Sequence, residues 1–130
     1  MISRRTFFAS ATAVAAAAFV SPAAAFELKP YDKATVDALI ATGKPVVIHV
    51  YANWCLQCHA QDAILNSLKT TGTYDKITFF RVAYDDQQDV VKALGVPRST
   101  FIAYRGGKET GRMSWGVTDA SVTTVLKTAL

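Results

Sequence analysis

The chain has 130 residues, which is the length of one domain, and 51% of them are hydrophobic, which is enough to build a core. No basic run is longer than Arg4-Arg5 and basic residues do not alternate with aromatic ones, so at a net charge of +4 a nucleic-acid partner is not expected. The two cysteines exclude a scaffold held together by several disulfides.

The first segment of the chain predicts a cleavable export signal. Arg4 and Arg5 form a basic start, and residues 7–20 form an apolar stretch. Cleavage after Ala25 satisfies the Ala-x-Ala rule, because Ala23 and Ala25 are the two small residues that the rule requires. The apolar stretch is shorter than the roughly 20 residues of a membrane span, which argues against the alternative of an uncleaved anchor.

The run "SRRTFF" at residues 3–8 resembles the twin-arginine export signal, and an ordinary secretory signal is the alternative. Either route predicts delivery to the periplasm or an equivalent space, where disulfide chemistry and attachment of c-type haem can both occur. Removing residues 1–25 leaves one domain at residues 26–130. The net charge then falls from +4 to +2, because Arg4 and Arg5 are the only charged residues removed.

The remaining chain alternates between patterns typical of strands and of helices. Residues 45–52 are a nearly continuous β-branched run, which predicts a strand covered on both faces. Apolar spacing, capping residues and glycines predict the other elements. In chain order we expect a short strand near residues 26–30, a helix over 32–44, a strand over 45–52, a helix over 58–70, a strand over 76–84, a helix over 86–94, strands over 99–104 and 109–115, and a helix over 118–130.

This order predicts an α/β fold. Strands joined through a helix pair in parallel, whereas the last two strands, which are joined by a tight turn at residues 105–108, must be antiparallel. The expected architecture is a central mixed sheet of four to five strands with helices on both faces.

The two cysteines stand in Cys55-Leu56-Gln57-Cys58, and His59 follows directly. Cys-x-x-Cys beside strand and helix patterns indicates a thiol–disulfide redox pair, whereas Cys-x-x-Cys-His indicates a site for c-type haem. A disulfide between Cys55 and Cys58 closes a very small loop and would stabilise the fold little, so a chemical role is favoured over a structural one.

A haem would need His59 as one axial ligand, a second ligand such as Met113 or His49, and an apolar pocket that the macrocycle fills. His49 lies in a predicted buried strand, and the predicted elements are sufficient to fill their own core. We therefore favour thiol–disulfide chemistry and expect His59 to be an exposed residue near the start of a helix.

The sequence resembles the thioredoxin family over residues 30–130. "VVIHVYANWCLQC" resembles the family's central strand running into Trp-Cys-x-x-Cys, and "GVPRSTFIAYRGGKE" resembles its Gly-Val-Pro segment and following hairpin. "SWGVTD" resembles the segment with a glycine before the last helix. The resemblance implies a thioredoxin fold and a redox-active disulfide, with no other cofactor and no metal.

The resemblance also implies roles for individual residues. Cys55 would be the nucleophile at a helix N-terminus, where free N–H groups favour a thiolate, and Cys58 would be the resolving thiol. Pro97 would be the family's cis-proline and would place the Val96 backbone opposite the sulfurs. The expected substrate groove comprises Trp54, Leu56, Gln57, Val96, Pro97 and Gly116.

Three positions depart from the family's pattern. Leu56-Gln57 replaces the common Gly-Pro between the cysteines, which leaves the direction of electron flow open. His49 stands where a buried Asp is usual and could carry a proton for the resolving thiol, because the unperturbed pKa of histidine lies near 6.5. Arg81 replaces a lysine near that position; because Arg keeps its proton, it could only tune the local field or lie on the surface.

The sequence therefore predicts an exported, monomeric thiol–disulfide oxidoreductase that reduces protein disulfides or relays electrons in the periplasm. Its expected partners are protein disulfides or dithiols and a recycling reductant, which could be embedded in the membrane. The alternatives are a disulfide oxidase or isomerase, a non-catalytic binding module, and the disfavoured c-type haem carrier.

Overall fold

The computed structural model describes residues 13–17 and 25–130. Most of the expected export signal, including Arg4, Arg5 and Ala23, lies outside the described residues. No helix in the described part of the chain is both long and apolar enough to cross a membrane. The elements are β1 Leu28–Pro30, α1 Lys33–Ala41, β2 Val46–Tyr51, α2 Leu56–Leu68, β3 Thr78–Ala83, α3 Gln88–Leu94, β4 Thr100–Arg105, β5 Lys108–Ser114 and α4 Asp119–Lys127.

The five strands form one mixed sheet in the order β1-β3-β2-β4-β5. β3 pairs in parallel with both β1 and β2. β4 runs antiparallel to β2, and β5 runs antiparallel to β4. The predicted mixed α/β sheet is confirmed, and β2 lies at its centre. The expectation that every helix joins parallel strands is wrong for α3, because β4, which follows it, runs antiparallel to β2.

The side chains of β2 point alternately into two cores, which explains its continuous apolar run. Val47 packs with Leu65 of α2 and Leu126 of α4 on one face of the sheet. Ile48 packs with Val36 of α1 on the opposite face, where Val91 of α3 also contributes. Because both faces of β2 are covered, its C-terminal end delivers the chain to the cysteines from a fixed position.

α2 begins at Leu56, two residues before the predicted start, because Cys55 caps it. Cys55 has extended backbone angles (φ −90°, ψ 112°) and its sulfur accepts a hydrogen bond from the Cys58 N–H at 3.2 Å. Leu56 and Gln57 therefore belong to the first helical turn. The two cysteines lie on either side of that turn.

Candidate active site

Cys55 and Cys58 form a disulfide with their Cα atoms 5.2 Å apart. Cys55 is 1% exposed and Cys58 is 0% exposed, so both residues are enclosed in this oxidised state. They pack with the buried Ala52 and with Tyr84. In the oxidised protein the two cysteines therefore hardly differ in exposure.

The environment of the Cys55 sulfur is mostly neutral. It accepts the Cys58 N–H at the start of α2, and the side-chain oxygen of Gln57 lies 3.8 Å away. The Cys58 sulfur lies 3.8 Å from the carbonyl oxygen of Val50. One backbone N–H and the positive end of a helix would stabilise a Cys55 thiolate moderately.

His49 is fully buried beside the motif, and its Nε2 lies 2.9 Å from Oε1 of Gln61. The ring stacks on Phe101 with centroids 4.3 Å apart. Burial lowers the pKa of His49 to about 4, and the hydrogen bond that His49 makes to Gln61 offsets only part of that effect. At neutral pH the imidazole is therefore uncharged.

Gln61 determines which nitrogen of His49 carries the proton. Its amide nitrogen donates to two carbonyl oxygens, of Ser99 at 3.1 Å and of Gly116 at 2.9 Å. Since carbonyls only accept, the amide oxygen must be the atom that faces His49. His49 therefore donates from Nε2, and its buried Nδ1, which has no partner among the described residues, carries a free lone pair.

Arg81 belongs to a polar chain on the same face of the sheet. It lies opposite His49 in the register of β2 and β3, and it pairs with Asp62 of α2. Its guanidinium lies 4.2 Å from the ring centroid of Tyr51. It contributes slightly to the lowered pKa of His49, so it acts on the local field while lying partly at the surface.

His59 is exposed and has a partner for each ring nitrogen. Nδ1 lies 3.1 Å from the Tyr51 hydroxyl and Nε2 lies 2.5 Å from the Asn53 carbonyl oxygen. These contacts tie the first turn of α2 to the end of β2. His59 therefore has a structural explanation that does not involve a haem.

The rim of the site is apolar. Trp54 is 58% exposed and Leu56 is 80% exposed, on either side of Cys55. The indole N–H of Trp54 donates to Asp85 at 2.8 Å, which holds the ring although it faces solvent. An exposed, anchored tryptophan beside the sulfurs suits contact with another molecule.

The prediction that Pro97 is a cis-proline is wrong, because the described residues contain no cis peptide bond. The trans form is favoured by about 0.5–1 kcal/mol at a bond before proline. Pro97 is exposed, and the Val96 side chain is buried in the core beneath α1 and α3.

The residue that lies against the central strand is Ser99, two residues after Pro97. Its N–H donates to the Val50 carbonyl oxygen at 2.9 Å, the oxygen that also lies near the Cys58 sulfur. A proline at this position could not donate that bond. Ser99 is fully buried and has φ 63°, a left-handed conformation that is unusual for a residue with a side chain.

Gly116 is required by packing. A Cβ atom there would lie 2.5 Å from Met113 Sδ and 2.6 Å from Ser121 Oγ. The Gly116 carbonyl oxygen accepts a hydrogen bond from the Gln61 amide, which links this turn to the active site. Met113 and Ser121 leave no room for a side chain at Gly116.

Sequence reasoning missed Gln61, Ser99 and Arg98. For Gln61 a signal exists: Cys58, Gln61 and Leu65 are spaced three and four residues apart, which places Gln61 on the buried stripe of α2. Arg98 lies between the rings of Trp54 and Trp115, and no local pattern predicts that contact. Within residues 13–17 and 25–130, no three His, Cys, Asp or Glu side chains form a group that could hold a metal ion.

Comparisons with known proteins agree with this geometry. The thioredoxin family model matches residues 27–128. Thioredoxin-5 of Dictyostelium discoideum is 34% identical over 89 residues, which covers 66% of this chain and 83% of that protein.

Two solved structures share the fold. Trxlp of Edwardsiella tarda has a TM-score of 0.70 at 29% identity, over 77% of this chain and 98% of that chain. Oxidised mitochondrial thioredoxin 3 of Saccharomyces cerevisiae has a TM-score of 0.66 at 22% identity, over 77% and 93% of the respective chains, which shows a likeness of fold alone. The chain belongs to the thioredoxin family, as a redox protein whose disulfide joins Cys55 and Cys58.

Proposed function

We propose that the protein is an exported thiol–disulfide oxidoreductase that reduces disulfides of other proteins in the periplasm. The observation that carries this proposal is the Cys55–Cys58 disulfide at the capped start of α2, beside an exposed apolar rim. The Dictyostelium discoideum relative bears the name thioredoxin, which favours disulfide exchange over a purely binding role.

In the reduced protein, the Cys55 thiolate attacks one sulfur of a substrate disulfide. A bond forms between Cys55 and that sulfur, and the other substrate sulfur leaves as a thiolate that takes up a proton. The Cys58 thiolate then attacks Cys55, which re-forms the protein disulfide and releases the second substrate thiol. Two electrons pass from the protein dithiol to the substrate disulfide.

The second step requires Cys58 to lose a proton inside the protein. His49 is suited to receive it, because the neutral ring presents the lone pair of Nδ1 in a buried site on the face of β2 that α2 covers. Gln61 holds the ring in that tautomer. A lowered pKa near 4 makes His49 a weak base, so it would pass the proton on rather than keep it.

The moderate stabilisation of a Cys55 thiolate favours reduction over oxidation of substrates. A strongly oxidising disulfide requires a heavily stabilised thiolate in the reduced form. In the described part of the chain, the Cys55 sulfur accepts one backbone hydrogen bond and no bond from a charged group. This environment favours a dithiol that gives up electrons readily.

The proposal also includes export of the protein and its re-reduction after each cycle. The N-terminal segment, with Arg4 and Arg5 before residues 7–20, has the pattern of an export signal, and cleavage after Ala25 would release residues 26–130. In an oxidising compartment the protein disulfide must be reduced again after each cycle. The proposal therefore includes a recycling reductant, supplied through the membrane.

The proposal is tested by the reduction of insulin with dithiothreitol as electron source. Wild-type protein should accelerate the reaction at least about tenfold over dithiothreitol alone, and Cys55→Ser should abolish the acceleration because the attacking sulfur is lost. Cys58→Ser should instead accumulate a mixed disulfide at Cys55, detectable by intact mass. Equal rates with wild type and Cys55→Ser would indicate a non-catalytic binding module.

A further inference from the structure

Arg98 lies between two tryptophans at the rim of the site. Its guanidinium carbon is 4.5 Å from the ring centroid of Trp54 and 4.9 Å from that of Trp115. We call these three residues the tryptophan–arginine cluster. Because Trp54 precedes Cys55 in the chain, the cluster adjoins the disulfide.

The backbone of the tryptophan–arginine cluster is strained, and hydrogen bonds hold it in place. Ser99, next to Arg98, has φ 63°, and Trp115 has φ 69°. The Trp115 N–H donates to the Ser99 carbonyl at 2.8 Å, and Gln61 donates to the same carbonyl. Left-handed residues with side chains are strained and concentrate at ligand sites, where surrounding contacts hold them in place.

Arg98 is a cation without an anionic partner among residues 13–17 and 25–130. Its Nε is buried and has no hydrogen-bond acceptor there. Asp85, which also contacts the cluster, accepts a hydrogen bond from the indole N–H of Trp54. The other arginines in the described ranges bond to oxygens: Arg81 to Asp62, Arg105 to the Leu130 carbonyl and Arg112 to Glu109.

We propose that Arg98 binds a carboxylate of the substrate, from an Asp or Glu close to the substrate's reacting disulfide. This inference rests on the proposed function and adds a substrate preference to it. Contact with the two indole rings leaves hydrogen-bond donors of the guanidinium available. Because Nε of Arg98 is enclosed, the substrate carboxylate would bond to the two terminal nitrogens of the guanidinium.

The apolar surroundings strengthen such a pair. The exposed large apolar residues around the disulfide are Trp54, Leu56 at the start of α2, Trp115 and Val117, at 58%, 80%, 42% and 47% exposure respectively. A bound peptide would exclude water between these side chains and itself, which lowers the local dielectric around Arg98 and the carboxylate. Acidic segments flanking a disulfide would therefore bind better than basic ones.

The test measures binding of short peptides that cannot react. Three peptides carry serine in place of the reactive cysteine and differ only in the two residues flanking it, which are Glu, Gln or Lys. The indole N–H resonances of the chain's two tryptophans, Trp54 and Trp115, report binding to the oxidised protein. The variants are Arg98→Gln, Arg98→Lys and Arg98→Glu. The control for net charge is Lys108→Gln, at the start of β5, where it pairs with Arg105 at the far end of β4.

The Glu peptide should bind wild type about three- to fivefold more tightly than the Gln peptide, and the Lys peptide more weakly than either. Arg98→Gln should remove the difference, Arg98→Lys should keep part of it, Arg98→Glu should reverse it, and Lys108→Gln should leave it unchanged. Equal affinities for the three peptides, no binding of any, or a Glu preference that survives in Arg98→Gln would each overturn the inference. Because the peptides contain no cysteine, these outcomes are independent of whether the protein reduces insulin.

Discussion

The buried polar residues His49 and Gln61 form a hydrogen-bonded pair that determines the tautomer of the histidine in this site. Gln61 bonds to His49 and to the carbonyls of Ser99 and Gly116, so one amide joins the central strand to both segments beside the disulfide. Each of its polar atoms has a partner, and this arrangement specifies one tautomer of His49. Any proton role for His49 depends on that orientation.

Burial of His49 predicts a pH dependence of stability. Its pKa is lowered from 6.5 to about 4 in the folded protein, so the unfolded chain binds the extra proton over that interval. The contribution is fully present above about pH 6.5 and is lost as the pH falls towards 4, and from the pKa change it amounts to about 3 kcal/mol of unfolding free energy.

The measurement is urea denaturation of wild type and His49→Gln at pH values from 4 to 7. His49→Gln should lack this component of the pH dependence, whereas His59→Gln, which alters the chain's other histidine, should retain it. Parallel curves for wild type and His49→Gln would show that His49 titrates normally, contrary to its burial.

At the scale of elements, the site is formed where three of them meet. β2 ends at Tyr51 and positions the motif, α2 starts at Leu56 under the Cys55 cap, and the turn from β5 to α4 presents Gly116. The start of α4 is fixed by a capping box between Thr118 and Ser121. Since Ser121 also crowds Gly116, the turn and the helix cap stabilise each other.

Gly116→Ala should therefore destabilise the protein by about 1–3 kcal/mol, because the new methyl group would displace Met113 or Ser121. Val117→Ala, at the exposed neighbouring position, should change stability by less than about 0.5 kcal/mol. Chemical denaturation of both variants measures the difference. A cost for Gly116→Ala no larger than that for Val117→Ala would refute the packing role of the glycine.

For the whole molecule, the sequence predicts the sheet and its helices because those depend on local patterns. The β-branched run at residues 45–52 predicts the buried central strand, the Gly-containing hairpin predicts the antiparallel pairing of β4 with β5, and the resemblance adds the family. The antiparallel pairing of β4 with β2 does not follow from these patterns. The sequence pattern places the start of α2 two residues too late, because a cysteine is an uncommon helix cap.

Local patterns do not predict contacts between residues that are far apart in the chain. Gln61 and Gly116 are 55 residues apart, and Trp54 and Asp85 are 31 apart. The resemblance to the family also gives a wrong prediction at Pro97. The Val-Pro pair resembles the family's segment, but Ser99 is the residue that bonds to β2. Such contacts follow from the three-dimensional register, which a single sequence does not contain.

The reduction potential of the Cys55–Cys58 pair, measured by equilibration with glutathione or dithiothreitol buffers, tests most directly whether the protein reduces disulfides. Our account predicts a value of about −270 mV, because one backbone hydrogen bond and the start of α2 stabilise a Cys55 thiolate only moderately. A value near about −120 mV would contradict it and identify a disulfide oxidase.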